Sequence, residues 1–324
     1  SLMSDQKPVV LITAPFVEEI ALSLSSTCEV ILRPSLADGM SLASSEHREF
    51  LTRAEVVITE IDLVDEASLE LSPRLSMVVS CRAMPVNVDV VACEKKSVTV
   101  KTTPGRNADV TADFAFGLLL STVRKVSQSE AWMRTLRWQG DDLYFPYREF
   151  RGMALNGKTL GIVGGGAIGR RMAERARGFG MNRLVYDPFL TQEQLGDLGK
   201  RAELDELMSN SDIVTIHAPL MESTIGLISE REIRRMKTSA FLINAGRAAI
   251  VDRDALFEAL QERRIAGAGI DVYWEEPPAP DDLVYALSNL TITPHVAGAS
   301  DDVVAEHSRL AVAHVRQWLA EKEK

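Results

Sequence analysis

The sequence predicts an α/β chain built of two doubly wound parallel-sheet domains. Short apolar runs alternate with helix-like stretches from Pro8 to Lys101, and a second series of the same kind begins near Thr159. At 324 residues the chain also exceeds what one hydrophobic core comfortably organises and suits two domains of ordinary size.

The runs of the first series are Val9-Val10-Leu11-Ile12, Val30-Ile31-Leu32, Val56-Val57-Ile58, Met77-Val78-Val79 and Val98-Thr99-Val100. They are almost continuously apolar, as strands are when helices cover both faces of a parallel sheet. The second series comprises Leu160-Gly161-Ile162-Val163, Leu184-Val185-Tyr186, Ile213-Val214-Thr215-Ile216, Phe241-Leu242-Ile243, Gly269-Ile270-Asp271-Val272 and Leu290-Thr291-Ile292-Thr293. Between the two lies Asn107 to Gln128, rich in Ala, Leu and Phe and long enough for a connecting helix. A Trp- and Tyr-rich arm follows from Trp132 to Phe150, readable either as a packed loop or as a subunit contact. A charged amphipathic helix from Asp301 to Lys324 ends the chain and is placed to return to the first domain.

Composition narrows the class. With 46% hydrophobic and 25% charged residues the chain is of ordinary globular type, and no apolar run approaches the roughly 20 residues of a membrane span. A formal net charge of -10 argues against a nucleic-acid-binding surface, which needs a clustered positive field. Cys28, Cys81 and Cys93 are an odd number without a CxxC pair and read as reduced thiols of a cytoplasmic protein; no metal is expected. No charged-then-apolar leader opens the sequence, and Ser1-Leu2-Met3 reads as an expression remnant ahead of a native methionine.

The strand at Leu160 to Val163 runs into Gly164-Gly165-Gly166-Ala167-Ile168-Gly169 and then a helix through Ala176. In this G-x-G-x-x-G pattern Gly164 permits the tight turn, Gly166 lets backbone approach a pyrophosphate, and Gly169 allows close helix-strand packing. The helix N-terminus at Ala167 and Ile168 attracts negative charge. Glycine-rich turns that bind nothing are common, so context decides: the next strand ends in Tyr186-Asp187-Pro188, about 20 residues on, as a dinucleotide site requires. Asp187 can accept hydrogen bonds from both ribose hydroxyls of NAD and would repel the 2′-phosphate of NADP, so NAD is the expected cofactor. The rival reading is that Asp187 opens the turn at Pro188, and Arg170 and Arg183, close in sequence, leave some NADP use open.

Three further stretches follow strand runs: Asn244-Ala245-Gly246-Arg247, Asp271-Val272-Tyr273-Trp274-Glu275-Glu276-Pro277, and Thr293-Pro294-His295-Val296-Ala297-Gly298. Their polar residues fall just beyond the carboxyl ends of strands, the edge where open parallel sheets collect ligands. Together with Thr103-Pro104-Gly105-Arg106-Asn107 and His217-Ala218-Pro219-Leu220, these landmarks resemble the D-isomer-specific 2-hydroxyacid dehydrogenases, the phosphoglycerate-dehydrogenase-like family, over nearly the whole chain.

The resemblance implies a Rossmann NAD-binding domain, residues 106–298, inserted into a flavodoxin-like substrate domain, residues 1–105 plus 299–324. It implies a catalytic trio of Arg247, Glu276 and His295, and a homodimer contact made by the arm and the helix from Asn107. Around the cofactor it places Gly164 to Gly169, Asp187, His217, Ala218, Pro219, Asn244, Ala245, Gly246, Arg247, Asp271, His295 and Gly298. Around the substrate it places Arg82, Ala83, Met84, Pro85, Arg106, Asn107, Arg247 and His295.

The chemistry agrees with that assignment. Reducing a 2-oxo acid takes a proton donor at the carbonyl oxygen, a cation for the carboxylate and a hydride; His295, Arg247 and NADH supply them. Glu276 against the imidazole would orient the ring and stabilise its charged form. Glu275 is its rival, disfavoured by the Pro277 neighbour and the family pattern. Of the other histidines, His47 sits in a polar stretch, His307 and His314 on the terminal helix, and His217 on the cofactor side.

Ala83 and Met84 stand in the Cys81 to Asp89 loop where the family usually has glycines, and Ala248 follows Arg247 where glycine is frequent. Arg82 and Arg106 suggest a second anionic or polyhydroxy group on the substrate, against the alternative of two solvated loop arginines. The identity of the 2-hydroxy acid is open. A different class of function on the same scaffold is an NAD-sensing interaction protein, comparable to the family's corepressor branch.

Overall fold

The computed structural model describes residues 6–36 and 39–324; the expected remnant at Ser1-Leu2-Met3 lies outside them. Contacts divide the chain into two units, Ser1–Asn107 with Ser300–Lys324, and Ala108–Ala299.

The first unit is a parallel sheet of β1 (Val9–Ile12), β2 (Glu29–Leu32), β3 (Val56–Thr59), β4 (Met77–Ser80) and β5 (Thr99–Thr102) in the order β2-β1-β3-β4-β5. Every residue of β1, β3 and β4 is buried, the two-sided covering that their apolar runs foretold. One face packs Leu11, Val57 and Val78 with Leu42, Leu51 and Leu69. The other packs Ile12, Ile58 and Val79 against Ala311, Val312 and Val315 of the helix Asp301–Lys322, so the terminal helix completes this unit's core. Its start is pinned by Ser300, whose hydroxyl accepts the N–H of Asp302.

The second unit holds a seven-stranded parallel sheet in the order β12-β11-β10-β9-β6-β7-β8. Its strands are β6 (Thr159–Val163), β7 (Asn182–Tyr186), β8 (Lys200–Arg201), β9 (Ile213–Ile216), β10 (Phe241–Asn244), β11 (Gly267–Ile270) and β12 (Leu290–Ile292). Two departures from the sequence reading have physical causes. The edge strand β8 is two basic residues long and offers no apolar run to detect. The helix expected from Asn107 to Gln128 is two helices, Ala108–Arg124 and Val126–Met133, broken at Lys125, which has φ +56. The Val123 carbonyl accepts the N–H of Met153 (3.0 Å), and the Ser127 N–H turns to the Ser121 hydroxyl (3.2 Å), so the helical ladder stops there.

Candidate active site

All strands of the seven-stranded sheet run parallel, so the polar segments after β6, β7, β9, β10, β11 and β12 emerge on one edge. The glycine turn after β6 forms its middle. Gly164 has φ +103, and a side chain there would stand 2.5 Å from the Ala218 nitrogen, so only glycine lets the His217-Ala218-Pro219 loop lie against the turn. A side chain on Gly169 would collide with the Gly164 carbonyl. Gly166 instead borders open space and caps the helix Ala167–Gly178 with no side-chain hydrogen bond. The first-turn N–H groups are therefore left for an anion, a cradle that fits a dinucleotide pyrophosphate.

Asp187, just past β7, fastens this turn. Its Oδ2 accepts the Gly165 N–H (2.9 Å) and its Oδ1 the Phe189 N–H (2.9 Å). The turn-forming role is thus present, and each oxygen keeps a second lone pair for a ribose hydroxyl. His217, half-buried after β9, shares a 2.8 Å hydrogen bond with the Thr215 hydroxyl, and burial pushes its pKa down to about 3, so the ring is neutral.

After β10 the buried Asn244 folds its own loop: Oδ1 accepts the Gly246 N–H and Nδ2 donates to the Arg247 carbonyl, each at 3.0 Å. Ala245 is buried beneath, and Ala248, in place of the usual glycine, is buried at the start of a short 3-10 turn, Ala248–Ile250. Arg247 is exposed, and among the described residues its guanidinium donates only to the Gly246 carbonyl (3.1 Å), which leaves most of its N–H groups available.

The β11 and β12 loops form the densest part of the edge. Asp271 is fully buried; Oδ1 accepts the Thr293 hydroxyl (2.7 Å) and the Val296 N–H (2.9 Å), and Oδ2 accepts the Ala297 N–H (2.9 Å). Between those anchors His295 has φ +55, a left-handed conformation that costs on the order of 1–3 kcal/mol. Hydrogen bonds to a charged group contribute roughly 1.5–3 kcal/mol each, enough to hold it. The expected strand Gly269 to Val272 ends two residues early because Asp271 turns into this loop.

His295 Nδ1 lies 2.7 and 2.9 Å from the two oxygens of Glu276. Facing a carboxylate, Nδ1 carries a proton, which leaves Nε2 as the nitrogen that exchanges one. Burial disfavours the ionised form of Glu276, but hydrogen bonds from His295 and the Tyr273 N–H, with positive charge from Arg247, hold its carboxyl below the ordinary carboxylate range. Glu275 is exposed and lines a separate cavity of about 240 Å³ with Arg253 and Trp274. Gly298 follows, exposed, at the end of the His295 loop.

In the first unit the loop after β4 leaves the backbone N–H groups of Arg82, Ala83 and Met84 without a hydrogen bond to any described residue. Met84 is 68% exposed, so its side chain does not pack beneath the loop; Pro85 accepts the Val88 N–H (3.0 Å). The Arg82 guanidinium has no partner among the described residues, whereas Arg106 is committed. Arg106 donates to Glu60 Oε2 (2.7 Å) and to Nδ1 of the buried His307 (3.0 Å), whose Nε2 donates to the Pro15 carbonyl (2.6 Å). Burial lowers the His307 pKa, as that neutral tautomer requires. Asn107 is half-buried, and its side chain has no hydrogen-bond partner among the described residues. Sequence reasoning left Glu60 and His307 without this role; Glu60's place just past β3, on the ligand-collecting edge, was the available signal.

A family profile described as the D-isomer specific 2-hydroxyacid dehydrogenase, NAD binding domain, matches residues 116–297. A glyoxylate reductase of Korarchaeum cryptofilum is 39% identical over 77% of this chain and 74% of its own. Among solved structures, a D-lactate dehydrogenase from Aquifex aeolicus complexed with NAD and lactic acid superposes with a TM-score of 0.69 at 26% identity, covering 97% of this chain and 96% of its own. A glyoxylate reductase from Paecilomyes thermophila gives 0.75 at 26% identity, covering 96% and 94%. The chain belongs to the D-isomer-specific 2-hydroxyacid dehydrogenases, a family of NAD-dependent oxidoreductases.

Proposed function

We propose that this protein interconverts a D-2-hydroxy acid and its 2-oxo acid, with His295 as the proton donor and acceptor. The observation that carries the reading is the close pairing of His295 Nδ1 with Glu276, 2.7 Å apart, on the edge that also bears the glycine turn and Arg247. The Gly164 to Gly169 turn, Asp187, and the loops at His217 to Pro219 and Asn244 to Arg247 would hold the cofactor, which when bound would supply or accept the hydride at C2. His295 Nε2 donates a proton to the carbonyl oxygen in reduction and removes it from the hydroxyl in oxidation. Glu276 orients the ring and favours its charged form. Arg247 binds the carboxylate and polarises the carbonyl. The free N–H groups from Arg82 to Met84 and the Arg82 guanidinium are the first unit's anion donors.

NADH oxidation against glyoxylate, hydroxypyruvate, pyruvate and sugar-derived 2-oxo acids tests the reading. Turnover that disappears in His295→Asn supports it. NADH binding without turnover of any 2-oxo acid returns the chain to an NAD-sensing interaction protein.

The partner is a second copy of this chain. The arm packs Trp132 between Phe145 and Phe150 at 5.8 Å each, yet leaves Leu143 62% and Tyr144 and Tyr147 73% exposed. Apolar surface of that kind is covered in a dimer. Sedimentation should give twice the chain mass, and a monomer at every concentration refutes the contact.

A further inference from the structure

Tyr273 is tied at its two ends to the two segments that carry the acid-base pair. Its backbone N–H donates to Glu276 Oε1 at 3.1 Å. Its phenol donates to the Thr293 carbonyl at 2.6 Å, and that same oxygen accepts the backbone N–H of His295 at 3.0 Å. Burial, with the negative charge of Asp271, pushes the phenol's pKa up to about 12, so the hydroxyl keeps its proton and remains a donor. The neighbouring Trp274 anchors the segment: its indole donates to the Val251 carbonyl (2.8 Å) and its ring meets Phe257 edge-on at 5.4 Å.

From this geometry we infer that Tyr273 is a positioning residue for the reaction, clamping the Glu276 segment to the His295 loop so that the carboxylate stays on Nδ1. The inference rests on the proposed role of His295. The left-handed backbone at His295 gives the clamp its importance, since a residue in that conformation relaxes when its supports are removed. Asp271 supports the loop through the Val296 and Ala297 N–H groups and the Thr293 hydroxyl, and the phenol of Tyr273 through the Thr293 carbonyl.

Tyr273→Phe removes the phenol's donor and keeps the ring, so packing is retained and a melting curve should stay close to the parent's. The test is the titration of the His295 ring by NMR of the histidine-labelled full chain, its signal assigned by loss in His295→Asn. The charged groups around it are Glu276, which touches Nδ1, Arg247, whose charge acts on Glu276, and Asp271, which holds the backbone N–H of the next residue. If the clamp holds the pair together, Tyr273→Phe moves the midpoint to lower pH, because the carboxylate that favours the charged ring is no longer held on Nδ1. In the Glu276→Gln background the same substitution should move it no further, because the partner it positions has lost its charge. In turnover, kcat should fall several-fold with KM for the oxo acid unchanged. A midpoint that stays in place, or one that moves equally with and without Glu276, overturns the inference. Failure of the catalytic reading would show instead as absent NADH oxidation, on which the titration does not depend.

Discussion

Asp271 Oδ1 lies 2.9 Å from the backbone nitrogen of Val296, the residue after His295, and Oδ2 reaches the next nitrogen, that of Ala297, at the same distance. Successive N–H groups converging on one buried carboxylate make a small anion nest, here filled from within the chain. Asparagine at this position would present an NH₂ to one of those donors. Asp271→Asn should therefore destabilise the protein by about 2–3 kcal/mol and depress kcat, because the His295 loop loses its brace. Urea unfolding read beside kcat checks this, and an unchanged midpoint with full activity would remove the bracing role.

Asp187 combines two tasks that a single substitution can separate by their signatures. Asp187→Ala deletes the carboxylate that repels a 2′-phosphate, so the ratio of kcat/KM for NADH over NADPH should fall by about tenfold or more. It also frees the Gly165 N–H, so NADH should bind more weakly in absolute terms. A weaker site with an unchanged ratio would leave Asp187 as a fastener of the glycine turn alone.

The two arginines of the first unit divide in their expected behaviour. Arg82 has no partner among the described residues, so Arg82→Ala should raise KM for the best oxo acid about tenfold, with little change in melting temperature. Arg106 holds Glu60 and His307 in place, and its removal leaves a half-buried carboxylate and a buried imidazole without their donor. Arg106→Ala should therefore lower the melting temperature. Equal effects of the two variants on KM, with equal stability, would contradict this division.

Much of this molecule was legible because its strands are buried on both faces and its chemistry sits at strand ends. Val9 to Ile12 or Ile213 to Ile216 cannot be mistaken for surface, and a residue just past such a run, as Asp187 or Asn244 is, falls on the ligand edge by topology alone. What could not be read were roles decided by side-chain partners distant in sequence. Arg106 and His307 meet across 201 positions, and nothing local distinguishes that arginine from Arg82, which has no partner among the described residues. Asp271 stood out only as a neighbour of the cofactor, whereas the folded chain turns both its oxygens onto a loop 25 residues away. The helix break at Lys125 was hidden for the same reason, since Met153 lies 30 residues beyond the carbonyl it takes.

The central claim, that Glu276 supports the charged form of His295 during proton transfer, is tested most directly by pH-rate profiles of Glu276→Gln and the parent in both reaction directions. The Glu276 carboxyl is held below its ordinary range, so in the parent it stays ionised through neutral pH and loses its charge only as pH falls through that depressed value. Reduction requires protonated His295 and fades as pH rises; oxidation requires the neutral ring and grows as pH rises. With the charge of Glu276 removed, the protonated ring is less favoured, so both limbs should move to lower pH together. Any uniform loss of rate at all pH values would report poorer ring orientation separately. Limbs that remain where they are in the parent would contradict the account and direct attention to Glu275.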